Sequence, residues 1–364
     1  MLELSAAAEP PMLVSIVWDP LDGIGPALAA AGEMLAAEPD IYVRGGRLCR
    51  LVAGSEPGTW ITADFSRDAL ETRLATRIYF CTVRKVPEKK GVPEHTKPFP
   101  ADLPPQWLAK GVLEAGAYPG VRPLRAIAPH PFLRFDGTIC DSGGYDPATE
   151  CYCTYSGPRL NFAMPPDPLA AARAAISTLG GRLAGYQWDG PLAFAGWLSA
   201  LLTVLTRPTL HGATAPGHVF EAPTKGASKT TLASAVAMLA LGRPATMGGM
   251  RSLAEFDKYC TAVLRQSPTV VLIDNVTVPL AGDSLARLFT SSIFSSRVLG
   301  TSNEVALPNG ATWLFTATNP DCATDIADRF ISIRLTGRAG PTFGTPNILD
   351  RCADPQWRAE MLYL

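Results

Sequence analysis

The stretch that decides the reading is Gly217-His-Val-Phe-Glu-Ala-Pro-Thr-Lys-Gly-Ala-Ser-Lys-Thr-Thr-Leu-Ala-Ser-Ala-Val-Ala-Met-Leu-Ala240. A short, mostly apolar run enters a segment containing Gly226, which ends at Lys229-Thr230, where an alanine-rich helical pattern starts. Strand, loop and helix in that order are the context a phosphate-binding loop needs. Backbone N–H groups of the loop and of the helix start would point together at anionic oxygens. On this reading Thr224, Lys225, Gly226, Ala227, Ser228, Lys229, Thr230 and Thr231 line a nucleotide site. Lys229 would sit against the outer phosphates of ATP, and the Thr230 hydroxyl would complete the shell of a Mg²⁺ ion. Pro223 and Ser228 stand where the usual spacing has glycine. Pro223 only enters the loop, but Ser228 puts a side chain where the backbone hugs phosphate, which crowds or weakens the site. Taken alone, the motif also reads as an ordinary helix start capped by Ser228.

Three further elements follow in order. Thr269-Val-Val-Leu-Ile-Asp-Asn275 is a β-branched run ending in an acid, as a buried central strand delivers a carboxylate to its C-terminal edge. Asp274 is therefore expected to hold Mg²⁺ through water, in the Walker B role. Asn275 stands where many ATPases have a glutamate; it can orient a water but cannot take its proton. Ala311-Thr-Trp-Leu-Phe-Thr-Ala-Thr-Asn319 is another strand with a polar tip, Asn319, in the position of a sensor of the terminal phosphate. In Asp325-Ile-Ala-Asp-Arg-Phe-Ile-Ser-Ile-Arg-Leu335, Arg329 is placed as an arginine finger would be. Its alternative is a surface ion pair with Asp325 or Asp328.

Lys229-Thr230, Ile273-Asp274-Asn275, Arg297-Val-Leu-Gly300, Ala317-Thr-Asn319 and Asp328-Arg329 together resemble an ATPase family of phages, prophages and plasmids. Its members are similar to superfamily 3 or AAA+ replicative helicases, many of them the helicase part of primase-helicase proteins. Ile41-Tyr-Val-Arg-Gly-Gly-Arg-Leu48, Arg134-Phe-Asp-Gly-Thr138 and Gly144-Tyr-Asp146 resemble the segment that precedes this ATPase. The resemblance implies a homo-oligomer, a hexameric ring in its fullest form, with ATP at subunit junctions, Arg329 acting in trans and single-stranded DNA as partner. It places a helix at 285–290 and a hairpin at 297–307 turning near Thr301-Ser-Asn303, with Arg297 as the basic residue that would touch DNA or pair with Glu304. The first domain shows no cluster of acidic and histidine residues for priming chemistry, so a separate primase or polymerase would supply it.

At 364 residues the chain has room for two domains. The expected fold is α/β: a C-terminal P-loop, AAA+/superfamily 3-like parallel sheet with flanking helices, preceded by a smaller mixed α+β N-terminal domain. The expected boundaries are 1–165 for that first domain, a partner- or DNA-binding module, 166–206 for a helical connector, and 207–364 for the ATPase. A helix is expected at 27–37, a hairpin on Gly45-Gly46, a helix opened by Ser66, an exposed loop over 85–105, and strand pairs turning at Asp136-Gly137 and Asp146-Pro147. The formal net charge of -1 excludes a globally basic nucleic-acid coat, although it leaves room for a local basic channel. Apolar stretches fall short of the roughly 20 residues of a membrane helix, and the N-terminus lacks the pattern of a signal peptide. The chain is thus expected in the cytoplasm. Cys49, Cys81, Cys140, Cys151, Cys153, Cys260, Cys322 and Cys352 are scattered and read as reduced thiols. Only Cys140, Cys151 and Cys153, with His130, come near a zinc-ligand set, and their spacing meets it poorly.

Three functions remain open: an ATP-driven DNA helicase or translocase of mobile-element replication; a nucleotide-binding regulator, loader or scaffold with a degenerate loop; and an interaction protein in which the loop merely caps a helix.

Overall fold

The computed structural model describes residues 14–54, 58–86, 95–100, 103–160, 162–210, 213–297, 304–337 and 347–364. By its contacts the chain divides into two compact units: 1–54 with 62–124, and 55–61 with 125–364.

Up to residue 124, β1 (Val14–Trp18), α1 (Gly25–Ala37), β2 (Ile41–Arg44), β3 (Arg47–Ala53), β4 (Trp60–Asp64), α2 (Arg67–Arg77), β5 (Ile78–Val86), β6 (His95–Pro100) and α3 (Gln106–Glu114) follow one another, all in the first unit except Trp60 and Ile61 of β4. The expected hairpin is there: Arg44 pairs with Arg47 across Gly45-Gly46. Those two glycines have φ of 57° and 75°, the left-handed pair that a two-residue hairpin turn requires. Ser66 starts α2 by accepting the Ala69 N–H at 3.2 Å. Leu35, Leu70, Leu74 and Leu108 fill the core with no measurable exposure. One expectation is corrected. Within 85–105, expected as loop, β5 runs on to Val86 and β6 pairs with it antiparallel, from Cys81 opposite Pro100 to Val86 opposite His95. The prolines and charges that hid this strand are what an edge strand tolerates, since one row of its backbone groups needs no partner.

The second unit opens with short strands β7 (Ala126–Ala128), β8 (Phe132–Leu133), β9 (Ile139–Cys140), β10 (Gly144–Asp146) and β11 (Cys151–Cys153). Both expected strand pairs form, β8 with β9 and β10 with β11. Asp136 closes the first by accepting the N–H and hydroxyl of Thr138 at 2.9 and 2.6 Å. Helices α4 (Pro168–Arg182) and α5 (Pro191–Thr206) lie where the connector was expected, and the contact boundary at 124/125 precedes them.

Then come β12 (Gly217–Ala222), α6 (Lys229–Leu241), β13 (Thr246–Gly248), α7 (Leu253–Arg265), β14 (Val270–Val276), α8 (Asp283–Thr290), β15 (Ile293–Arg297), β16 (Glu304–Pro308), β17 (Thr312–Thr318), α9 (Thr324–Ala327), β18 (Phe330–Arg334), α10 (Ile348–Cys352) and α11 (Pro355–Tyr363). The main sheet has the order β13-β14-β17-β12-β18, and every neighbouring pair is parallel. Side chains of a strand alternate between faces, and here both faces are buried. Val270 and Leu272 of β14, with Leu314, Phe220 and Ala222, join α5, α6 and α10 in one core. Val271 and Ile273, with Trp313, Phe315 and Val219, join α7 and α8 in the other. A sheet covered on both sides explains why these strands read as unbroken apolar runs.

Gly217, at the start of β12, faces the ring pair Phe289 and Phe330, whose centroids are 4.9 Å apart. A Cβ there would lie 2.5 Å from Phe330 and 2.7 Å from Phe289. Gly217→Ala is expected to cost about 1–3 kcal/mol of stability by overpacking, read as a lower urea midpoint at unchanged slope.

Candidate nucleotide site

The segment between β12 and α6 crosses the C-terminal edge of the parallel sheet, where ligand crevices of open α/β sheets lie. Gly226 has φ 79°, and a Cβ there would meet nothing within 4 Å, so the loop passes it facing open space. Ala227 anchors the loop in the core at 3% exposure. Ser228 then takes φ 61° and ψ 22°, a left-handed conformation, and its side chain caps no helix N–H. A capping serine looks different. Ser66 and Ser252 are extended, and each accepts a first-turn N–H. Ser228 therefore turns the chain as glycine would, at a cost of about 1–2 kcal/mol for a residue with a Cβ.

The turn delivers Lys229 and Thr230 to two strand ends. The Lys229 ammonium donates to the Thr224 carbonyl and to Thr318 Oγ1, both at 3.1 Å. The Thr230 hydroxyl donates to Asp274 Oδ1 at 2.8 Å. The same carboxylate oxygen accepts the Thr316 hydroxyl at 2.6 Å, and Thr316 Oγ1 in turn accepts the Asn275 N–H at 2.8 Å. Desolvation is the larger influence on Lys229 and lowers its pKa from the usual lysine value; the Asp274 charge opposes this. An ammonium short of solvent gains by meeting further anionic oxygens.

Asn275 and Asn319 both have positive φ, 52° and 45°. Asparagine tolerates that region better than most residues, and at Asn275 it accompanies a break in the register of β14 with β17 after Ile273. Asn319 is tied to the loop strand by its N–H, 3.3 Å from the Ala222 carbonyl. Both asparagines are exposed at the sheet edge. Lys229, Thr230, Asp274, Asn275 and Asn319 are thus gathered at one edge. Thr316 and Thr318 join them, unassigned in the sequence reading. The signal was the Thr-Ala-Thr alternation before Asn319, which puts both hydroxyls on one face of β17. The Thr230 hydroxyl and the Asp274 carboxylate are oxygen donors of the kind a hard cation such as Mg²⁺ takes.

Two expected residues stand elsewhere in the unit. Arg329 precedes β18, whose Phe330 pairs with Gly217 at the start of β12, the strand end opposite the loop. Its Nε donates to the Asp325 carbonyl at 3.2 Å, and among the described residues it forms no ion pair. Arg297 ends β15 opposite Glu304, the first residue of β16, so the expected hairpin exists; its turn at 301–303 lies outside the described residues. Asp257 of α7 fastens the hairpin to the core. Its carboxylate accepts from Ser284 at 2.7 Å, Arg287 at 2.9 Å and Ser296 of β15 at 3.1 Å. Among the described residues no group of three or more His, Cys, Asp or Glu side chains is arranged to hold a metal. Cys140, Cys151 and Cys153 are free and buried.

No protein-family model matches the chain, and no curated protein sequence does. Among solved structures, the apo form of the NrS-1 C-terminal region is similar at 11% identity and a TM-score of 0.38, over 91% of this chain and 67% of that one. The JCV helicase is similar at 13% identity and a TM-score of 0.26, over 46% of this chain and 51% of that one.

Ser228→Gly is expected to be more stable than Ser228→Ala by about 1 kcal/mol, because only glycine is free in the left-handed region; chemical denaturation reads the difference. Thr316→Val keeps the shape and leaves the Asn275 N–H without its acceptor. It is expected to cost about 1–3 kcal/mol, read as a lower urea midpoint.

Proposed function

We propose that this chain is an ATP-dependent DNA helicase or translocase of phage or plasmid replication, an ATP hydrolase with its site at the C-terminal edge of the parallel sheet. The observation that carries the ATP part is the pair of bonds reaching from one helix start to two strands: Lys229 to Thr318, and Thr230 to Asp274. When ATP enters, Lys229 exchanges its protein oxygens for phosphate oxygens, and the helix start and loop N–H groups face the remaining charge. Thr230 and Asp274 would hold Mg²⁺, which neutralises charge developing on the phosphates. Asn319 and Thr318 orient the outer phosphate, and Asn275 orients the attacking water.

Arg329 lies at the opposite strand end from the loop of its own chain, which suits a residue serving the site of a neighbour. The proposal therefore includes a homo-oligomer, a hexameric ring in its fullest form, with single-stranded DNA gripped by the β15–β16 hairpin through Arg297. In this scheme 207–364 is the motor, 166–206 its helical connector and 1–165 a partner- or DNA-binding module. A separate primase or polymerase would act beside it in the cytoplasm. The position of β17 between the loop strand and the strand of Asp274 supports the reading as an AAA+ or superfamily 3 ATPase.

A second reading is favoured by Asn275: with no acid following Asp274, the site can bind nucleotide and switch without turning it over. Phosphate release from ATP, with and without single-stranded DNA, separates the two. The motor reading expects turnover that rises with DNA and falls at least about a hundredfold in Lys229→Ala, as when a transition-state donor is lost. If neither protein turns over while the wild type alone binds ATP, the motor reading fails and the switch reading replaces it.

A further inference from the structure

Strands β5 and β6 of the first unit form a hairpin with an unusual face. In its register Phe99 lies opposite Thr82, and Arg84 lies opposite Lys97. Residues two apart on a strand share a face, so Phe80, Thr82 and Arg84 of β5 line up beside Phe99 and Lys97 of β6. At its inner end this face is aromatic. Phe80 is buried 6.4 Å from Trp18 and 6.3 Å from Trp107, between ring centroids, and the two tryptophans are 5.0 Å apart. At its outer end two exposed cations oppose each other, and both stand over one half-buried ring: Arg84 is 5.9 Å and Lys97 5.0 Å from the Phe99 centroid.

Like charges directly opposite across a ladder destabilise it. Neither Arg84 nor Lys97 has a carboxylate partner among the described residues, so folding alone does not account for the pair. The ring quadrupole offsets part of the repulsion; an anion between the two cations would remove it. In the sequence, residues 84–97 hold five lysines and arginines against two glutamates, in a chain whose total charge is -1. Edge pairing with another strand is disfavoured, because β6 is an edge strand carrying Pro98 and Pro100. A cation pair beside an aromatic ring is the arrangement that binds single-stranded nucleic acid, with phosphate on the cations and a base against the ring.

We propose that Arg84, Lys97 and Phe99 form a binding site for single-stranded nucleic acid on the β5–β6 hairpin. The site takes one or two nucleotides by backbone charge and stacking, without reading sequence. It rests on the DNA-motor reading only in the expectation that the strand bound is DNA.

The test is fluorescence anisotropy of a labelled dT oligonucleotide titrated with the full chain over a range of salt, with no ATP present. Arg84→Gln with Lys97→Gln is expected to weaken binding at least tenfold at low salt. It should also flatten the slope of log K against log[salt] by about 1.4, two phosphates at about 0.7 each. Phe99→Leu is expected to weaken binding roughly tenfold and leave the slope unchanged, since stacking releases no counterions. Arg84→Lys keeps the slope and serves as the control for folding. Wild-type affinity and slope in the glutamine pair would overturn the site. So would loss of binding to vesicles of phosphatidylserine and phosphatidylcholine with oligonucleotide binding intact, which would make the hairpin a membrane contact. Because ATP is absent, a chain that binds DNA here and never hydrolyses ATP retains this site while losing the motor reading.

Discussion

One carboxylate oxygen ties together the three pieces of backbone from which the candidate site is made. Asp274 Oδ1 accepts hydroxyls from Thr230, at the start of the loop helix, and from Thr316, on the neighbouring strand, at 2.8 and 2.6 Å. Bonds to an ionised acceptor are among the stronger ones, and these two fix the start of α6 and β17 to the end of β14. The geometry is available only because β17 is inserted between β14 and β12. Were β12 next to β14, the Asp274 side chain would meet the loop strand directly, and no third element would carry Thr316, Thr318 and Asn319 into the same crevice.

That arrangement in turn depends on two-sided burial. Val270 and Leu272 feed the core shared with α5 and α6, while Val271 and Ile273 feed the core shared with α7 and α8. A one-residue slip of β14 would exchange these sets and turn Asp274 away from Thr230. Two full cores make such a slip costly, so the polar site at the strand ends rests on apolar packing along the strands. Asp257 does a related task outside the sheet: with bonds to Ser284, Arg287 and Ser296 it binds one end of the β15–β16 hairpin to the helices of the second core.

Much of this was legible in the residues. The acid-tipped strand and the polar-tipped strand could be read because each is a largely apolar run stopping at a polar residue, a strong pattern of a buried parallel strand, and the loop because it joins a short strand to an alanine-rich helix. The hairpin on Gly45-Gly46 was legible because two left-handed positions in a row leave few sequences to choose from. What escaped notice did so for equally physical reasons. β6 was hidden because edge pairing asks for no apolar alternation and admits Pro98 and Pro100. Thr316 and Thr318 look like ordinary β-branched strand residues, and their role depends on which strands neighbour β17, a fact of topology that no local window contains.

The two departures from the expected motif, Ser228 and Asn275, do not bear on the site in the same way. At Ser228 the fear was a side chain crowding phosphate. Yet the residue adopts the left-handed turn that a glycine would supply, and Lys229 and Thr230 after it reach their partners. Its cost is conformational, and the fold has already met it. Asn275 also sits at positive φ, in the break of the β14–β17 ladder, with its N–H taken by Thr316. Its side chain cannot accept a proton at neutral pH. The first departure therefore bears on how stable the loop is, and the second, under the proposed function, on whether bound ATP would be hydrolysed. In the proposed ATPase, binding and turnover would be separable, and it is the residue after Asp274, rather than the loop, that would divide a motor from a switch.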